Sequence, residues 1–318
     1  MDTKLTLVIM AAGLGSRFGG DKQLAALGPN GETMLQLALS SAIKAGFARA
    51  VLVIRPELES EICRQLSDFL PSGFEWHLCY QTLDDLPQPV SARQTGDITK
   101  RHSNRQKPHS NRQKPWGTAH ALWSARHLVN GPMAVITADD YYGDHAFVQL
   151  AEGIRQHPNE WMMVAWPLGL TLSEHGGVNR GLCEVNGKGY LTSVQEWLDI
   201  RQGTHGLEGE LQGERRPIAA DALVSMTCWG FSANIFAALE QGLRRFLATH
   251  GDDLKAECYL PAIVQNAIEQ PDPEPCQQQQ NLATRSVRVE TAREAWLGVT
   301  YSQDAARVKQ QLQELMGA

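Results

Sequence analysis

The feature that most constrains the fold is an apolar run, Leu5–Met10, followed directly by a glycine-rich segment from Gly13 to Gly31. A short run of consecutive apolar residues is typical of a strand that is buried on both faces of a parallel sheet. Glycines after a first strand let the backbone approach a ligand and point several N–H groups at one anion. Because Arg17 and Lys22 lie in the same segment, we predict a phosphate-binding loop at the carboxyl end of this strand.

The glycine-rich segment matches neither of two well-known phosphate loops. A dinucleotide-binding loop needs G-x-G-x-x-G leading directly into a helix, but here the third glycine is Gly19, one place late. A Walker loop needs G-x-x-x-x-G-K followed by Ser or Thr, but Asp21 separates Gly20 from Lys22. A glycine-rich turn without a ligand would not account for the two cations, so another kind of phosphate site is indicated.

Strand-like and helix-like segments alternate along the chain, which predicts an α/β fold with a largely parallel sheet. The predicted strands are 5–10, 50–54, 74–80, 133–138, 161–166, 182–185, 190–196, 224–231 and 287–289. The predicted helices are 33–45, 57–69, 117–128, 144–153, 233–247, 257–267 and 301–316. The two strands at 182–185 and 190–196 are joined by Asn186-Gly187-Lys188-Gly189, which predicts a hairpin.

Composition and charge exclude several classes of protein. The 318 residues are 42% hydrophobic and 20% charged, and the net charge is −6, which argues against a surface that binds nucleic acid or anionic membrane throughout. No stretch approaches the roughly 20 apolar residues of a membrane span. Six scattered cysteines without a C-x-x-C pair favour free thiols in a reducing compartment over a zinc site. With no signal peptide apparent at the N-terminus, we expect a cytoplasmic protein.

One basic segment stands apart from this acidic background. Residues 93–115 carry seven Lys or Arg and one acid, Asp97. Within it, the heptad His102–Pro108 recurs identically as His109–Pro115. A single tandem copy is too short for a solenoid repeat, and lengthening a surface loop costs little closure entropy. We therefore interpret the segment as a loop that grew by duplication. Because it has no aromatic residue before Trp116, a role in stacking nucleic acid bases is disfavoured.

Several motifs together resemble the sugar-1-phosphate nucleotidylyltransferases, also called NDP-sugar pyrophosphorylases. The segment 11–17, with Lys22, is similar to their signature loop, and 117–121, 136–140 and 194–196 resemble further family segments in the same order. The nearest resemblance, through 28–32, 114–117, 229–231 and 296–301, is to a bacterial branch of nucleotidyltransferases. It implies a Rossmann-like three-layer fold with a mixed, mostly parallel sheet. It also implies a nucleotidyltransferase domain over 1–255, with the basic insertion at 93–115, and a helical extension over 256–318.

The resemblance implies transfer of NMP from an NTP, UTP or dTTP, to a sugar 1-phosphate with release of pyrophosphate. Arg17 and Lys22 would be catalytic residues whose positive charges hold the phosphates. Asp139 would be a catalytic residue that binds Mg²⁺. For Asp304, a second metal ligand and a helix N-cap are equally good interpretations. No nucleic acid or membrane partner is expected, and the oligomeric state is open. Alternatives are a non-sugar acceptor, such as choline phosphate or a molybdenum cofactor, and a nucleotide-binding regulator without catalysis.

The resemblance also implies a set of substrate-binding residues. Trp116 could instead be a packing residue, Glu196 an exposed charge at a strand end, and Asp139 an ordinary strand-end cap. His120 is more simply explained as structural, and Thr227 and Ala119 replace the asparagine and glycine usual in the family. The predicted substrate-binding residues are Ala11, Ala12, Gly13, Gly15, Ser16, Gln81, Trp116, Gly117, Thr118, Asn179, Gly181 and Glu196.

Overall fold

The computed structural model describes residues 4–13, 25–88, 112–269, 285–299 and 301–317. Gly15, Ser16, Arg17 and Lys22 lie outside the described residues, as does the first heptad copy, so their predicted roles stay predictions. The strands are β1 (Thr6–Met10), β2 (Arg49–Ile54), β3 (Glu75–Tyr80), β4 (Met133–Thr137), β5 (Asp140–Tyr141), β6 (Trp161–Pro167), β7 (Val178–Val185), β8 (Leu191–Gly203), β9 (Gly206–Leu211), β10 (Glu214–Ile218), β11 (Leu223–Phe231), β12 (Val287–Thr291) and β13 (Leu297–Gly298). The helices are α1 (Met34–Lys44), α2 (Glu59–Ser67), α3 (Thr118–Ser124), α4 (Asp144–Gln156), α5 (Ile235–His250), α6 (Leu260–Glu269) and α7 (Asp304–Met316).

The parallel part of the main sheet has the strand order β3-β2-β1-β4. Met10 at the end of β1 pairs with Val53 in β2 and with Thr137 in β4. Tyr80 at the end of β3 pairs with Ile54. The carboxyl ends of these four strands therefore meet at one edge, where ligands bind in open α/β sheets.

The other part of the sheet is largely antiparallel. Strand β11 pairs with β4, β6 and β7, and the sheet continues through β8, β9 and β10. The prediction of an α/β fold with a mixed sheet is confirmed. The strands β9 and β10 were not predicted, because their sequences, GLEGEL and ERRPI, lack the apolar pattern of a buried strand. Charged residues and a proline are expected on an exposed edge strand such as β10.

Helices cover both faces of the sheet. In β1, Leu7 and Ile9 pack with α1, α2 and α4 on one face, whereas Val8 and Met10 pack with α3, α5 and α6 on the other. Alternate side chains of a strand point to opposite faces, so the continuous apolar run needs two apolar layers. This arrangement confirms the three-layer architecture. None of the helices in the described ranges is long and apolar enough to cross a membrane.

The C-terminal segment supplies strands as well as helices. Strand β12 runs parallel to β6 in the main sheet, and Val287 is fully buried. The two-residue strand β13 pairs with β5, which directly follows Asp139. The segment 256–318, predicted as a helical extension, thus also contributes to the main sheet and to the surroundings of the strand-end carboxylates.

Candidate active site

A cavity of about 590 Å³ opens at the carboxyl edge of the parallel strands. It contains Gly13, where the glycine-rich segment begins, and residues from both parts of the sheet. The predicted site residues that line it are Ala12, Gly13, Gln81, Gly117, Thr118, Asp139, Asn179, Gly181 and Glu196. The structure brings these residues together, and their roles in binding remain predictions.

Two predicted binding residues lie beside the cavity but not on its lining. Ala11 is buried, and its N–H donates to the Val53 carbonyl at 2.8 Å. Trp116 is completely buried, and its Nε1 donates to the Leu83 carbonyl at 2.9 Å. The sequence left a base-binding and a packing role open for Trp116, and this geometry favours packing.

The cavity wall at Gly117 depends on a close backbone approach. Gly117 has a φ of 96°, and a Cβ there would lie 2.6 Å from the Cys258 carbonyl oxygen. The Cys258 N–H donates to the Trp116 carbonyl, and the Leu260 N–H donates to Thr118 Oγ1 at 2.9 Å. These contacts place Glu257, Tyr259 and Pro261 on the cavity. No sequence motif pointed to those three residues, because only the folded chain joins residues 116–118 to 257–261.

Asp139 and Asp140 both line the cavity, just beyond β4. Asp140 accepts a hydrogen bond from Thr137 Oγ1 at 2.7 Å. The Tyr142 hydroxyl accepts from the Thr137 N–H and donates to the Met226 carbonyl, each at 3.1 Å. Complete burial raises the pKa of Tyr142 well above its usual value, so this hydroxyl keeps its proton and ties β4 to β11.

The two adjacent carboxylates suit Mg²⁺ better than a metal held by protein ligands alone. Among the described residues, no group of three or more His, Cys, Asp or Glu could hold an ion. Mg²⁺ is usually bound by one or two carboxylates together with substrate phosphates and water. Asp139 and Asp140 therefore fit a Mg²⁺ ion that binds together with a nucleoside triphosphate.

Asp304, the other predicted metal ligand, does not line the cavity with Asp139. It is the first residue of α7 and is fully buried. Its carboxylate accepts from Ser173 Oγ at 3.1 Å and from the Tyr301 N–H at 2.9 Å. A carboxylate in the first turn of a helix is favoured by the exposed N–H groups there, so the geometry supports the helix-terminus interpretation.

Glu196 and Arg180 lie together on the cavity, on β8 and β7 respectively. Desolvation inside the cavity raises the pKa of Glu196, although the charge of Arg180 opposes this shift. Arg180 donates to the carbonyls of Thr171 and Asn179 and lies over the ring of Trp296. This side of the cavity thus offers a carboxylate that could accept hydrogen bonds from hydroxyl groups.

Lys114 is a cavity residue that the sequence motifs did not select as a site residue. It belongs to the second heptad copy and forms an ion pair with Glu257 at 2.7 Å. The basic segment therefore delivers one cation directly to the cavity. In the sequence, Lys114 belongs both to the basic segment and to the motif 114–117, but neither pattern assigns it a role in the site.

Thr227 is a strained residue on the cavity wall. Its φ is 58°, a left-handed conformation that is costly for a β-branched residue. It lies between Ser225 and Trp229, where the pairing of β11 with β6 shifts register. At this irregularity the Met226 carbonyl accepts a hydrogen bond from the Tyr142 hydroxyl, so contacts to Tyr142 hold the strained backbone in place.

We expect Thr227→Asn to raise the free energy of unfolding by about 1 kcal/mol, because asparagine tolerates this conformation better than threonine. Chemical denaturation at pH 7.5 measures the difference. Thr192→Asn is the matched control, since Thr192 is exposed on β8 and has no positive φ; a change within about 0.5 kcal/mol is expected there. A lower stability of Thr227→Asn would contradict the assignment of strain.

The chain is similar to known proteins in one sequence segment and in its overall fold. Residues 7–80 match the MobA-like NTP transferase domain. A Bacillus anthracis structure with sucrose, described as a glucose-1-phosphate thymidylyltransferase, has a TM-score of 0.60 at 11% identity, covering 98% of this chain and 96% of that one. The inositol-1-phosphate CTP transferase of T. maritima has a TM-score of 0.54 at 12% identity, covering 99% and 98%. No curated protein gives a significant match.

At these identities the structural likeness establishes the fold, and the family match covers the first three parallel strands and the helices between them. The two solved structures differ in the nucleotide and the acceptor that their names specify. The prediction of a nucleotidyltransferase is therefore confirmed at the level of its class: residues 7–80 match an NTP transferase domain, and the chain has the fold of nucleotidyltransferases.

Proposed function

We propose that this protein transfers NMP from UTP or dTTP to a sugar 1-phosphate and releases pyrophosphate. The observation that carries the proposal is the single cavity in which Gly13, Asp139 and Glu196 meet. Gly13 adjoins the predicted phosphate loop, Asp139 supplies a carboxylate suited to Mg²⁺, and Glu196 supplies an acceptor for sugar hydroxyls. One of the two similar structures is named for glucose 1-phosphate and the other for inositol 1-phosphate, and these names support a phosphorylated polyol as acceptor.

For this reaction the protein needs mainly to align the two substrates and to neutralise the charge on their phosphates. A phosphate oxygen of the acceptor attacks the α-phosphorus, the bond to the bridging oxygen breaks, and pyrophosphate leaves. The nucleophile is already an anion, so no general base is needed, and catalysis reduces to alignment and electrostatic stabilisation. Arg17 and Lys22 would hold the phosphates. Mg²⁺ held by Asp139 and Asp140 would neutralise charge on the phosphate oxygens.

A screen for pyrophosphate release tests the proposal. The purified protein is incubated with Mg²⁺ and each NTP, paired with a panel of sugar 1-phosphates, inositol 1-phosphate, choline phosphate and the molybdenum cofactor. We expect turnover with UTP or dTTP and a sugar 1-phosphate. Turnover only with a non-sugar acceptor would assign the same chemistry to another substrate. Tight NTP binding without turnover for any acceptor would contradict an enzymatic role and favour a regulator.

A further inference from the structure

A buried histidine connects to the cavity through one glutamine. Gln81 follows β3 and lines the cavity, whereas His120 lies in α3 with its side chain completely buried. The amide nitrogen of Gln81, Nε2, is 3.1 Å from the Gly117 carbonyl oxygen and 3.1 Å from His120 Nδ1. On the other side of the ring, His120 Nε2 is 2.8 Å from the Asp85 carbonyl oxygen. Nothing in the proposed reaction uses His120 directly.

The partners of the ring determine where its proton lies. A carbonyl oxygen can only accept, so His120 Nε2 must carry a hydrogen and donate it to Asp85. Burial lowers the pKa of His120, with the positive charges of Arg126 and Arg112 adding to this effect and the Asp85 charge opposing it. The ring is therefore neutral near pH 7, and its Nδ1 is an acceptor.

The glutamine amide then has one allowed orientation. Both neighbours of its nitrogen, His120 Nδ1 and the Gly117 carbonyl, are acceptors, so both amide hydrogens are used inside the protein. Across the described part of the chain, no hydrogen-bond partner is found for Oε1 of Gln81. Because Gln81 lines the cavity, this carbonyl oxygen is the group that a ligand can meet.

Other contacts hold this arrangement in place. The Gln81 N–H donates to the Ile54 carbonyl at 2.9 Å. Arg126 binds both carboxylate oxygens of Asp85, which keeps the backbone acceptor for His120 in position. Turning the Gln81 amide over would set its oxygen against the Gly117 carbonyl and against Nδ1, with two unfavourable contacts in a buried place.

We propose that His120 is a positioning residue that holds Oε1 of Gln81 toward the cavity, so that the site selects a base whose edge presents a ring N–H. The imide N–H of uracil or thymine satisfies this acceptor. The corresponding ring nitrogen of cytosine is itself an acceptor and is rejected. This inference rests on the proposed nucleotide site, and it assigns base selection to a hydrogen bond that lies outside the cavity.

Two replacements of His120 distinguish the loss of its hydrogen bond with Gln81 from a general loss of structure. In His120→Asn the side-chain oxygen can replace Nδ1 as the acceptor for Gln81, although the bond to Asp85 is lost. In His120→Gln the amide nitrogen can replace Nε2 as the donor to Asp85, although the acceptor for Gln81 is lost. Titration calorimetry with UTP and CTP, each with Mg²⁺, gives the ratio of dissociation constants.

For the unmodified protein and His120→Asn we expect UTP to bind at least about tenfold more tightly than CTP, and for His120→Gln we expect this ratio to fall to about twofold. In turnover, the loss in His120→Gln should appear in KM for UTP, with kcat changed less than about twofold. An unchanged ratio in folded His120→Gln, or a preference for CTP in the unmodified protein, would overturn the inference.

A measurement on the unmodified protein keeps the proposal testable if a variant fails to fold. Nitrogen-15 NMR of the histidine rings at pH 7.5 should show His120 protonated at Nε2 and unprotonated at Nδ1. Protonation at Nδ1 would overturn the proposal. Absence of any NTP binding would contradict the nucleotide site itself, whereas NTP binding without discrimination of the base would contradict the role of His120 alone.

Discussion

Asp139→Asn is expected to slow pyrophosphate release by about a thousandfold relative to the unmodified protein. Asp139 follows β4 at the edge where the four parallel strands end, and it lines the cavity beside Asp140. An asparagine keeps the size of the side chain but removes the charge that would hold Mg²⁺ against the phosphates. The measurement is the initial rate of pyrophosphate release at saturating substrate, together with the Mg²⁺ concentration that gives half of that rate.

Asp144→Asn is the matched control for this prediction. Asp144 begins α4, lies off the cavity lining, and accepts from Ser41 Oγ at 2.5 Å and from Lys44 Nζ at 3.0 Å. We expect its rate to stay within about twofold of the unmodified value, with a loss of stability of about 1 kcal/mol. Equal rates for Asp139→Asn and the unmodified protein would remove Asp139 from the catalytic machinery.

Arg112→Ala is expected to lower the free energy of unfolding by about 3 kcal/mol. Arg112 is only 4% exposed, and its guanidinium lies 3.6 Å from the centre of the Trp116 ring. It donates to four backbone carbonyls, those of Lys114, Pro115, Asp253 and Ala256. Alanine would leave these partly buried acceptors without the guanidinium donors and would remove the stacking on the indole.

The duplicated heptad provides the control for Arg112. Arg105 occupies the same place in the first copy, and Arg105→Ala is expected to change the stability by less than about 0.5 kcal/mol. Deleting 102–108 leaves an identical heptad before Trp116, so that protein should keep its stability and change the KM for NTP only slightly. Urea denaturation of the three proteins tests this assignment. Equal losses in Arg105→Ala and Arg112→Ala would show that the two copies are equivalent.

Local patterns predicted most of the parallel part of the fold. The helix predicted at 33–45 is observed as α1, with Thr33 and Gln36 forming reciprocal capping hydrogen bonds. The apolar runs at 5–10 and 50–54 are observed as β1 and β2. Such elements follow from neighbouring residues because capping and burial on both faces leave a direct trace in the sequence. The exposed strands β9 and β10 leave no such trace, since backbone pairing needs no apolar side chain.

In the candidate site, too, some features could be predicted from the sequence and others depend on the fold. The family resemblance implied roles for Gln81, Asp139 and Glu196, which lie far apart in the sequence, and the folded chain brings all three to one cavity. For Trp116 and Asp304 the sequence left a binding and a structural role open, and the structure buries both side chains in hydrogen-bonded packing. A motif records which residue stands at a position, and it does not record which way the side chain points.

The sequence by itself determined the glycine-rich start of the chain, the parallel strands and the class of chemistry. The glycine-rich segment and the strands follow from local spacing, φ preferences and buried apolar runs, whereas the class of chemistry was implied by the resemblance of the motifs to a known family. Only the tertiary structure decided that Arg112 anchors the basic segment to Asp253 and Ala256, and that His120 orients Gln81. Both depend on hydrogen bonds between residues far apart in the chain. The direction of such a bond is set by the folded backbone around it, which no local pattern encodes.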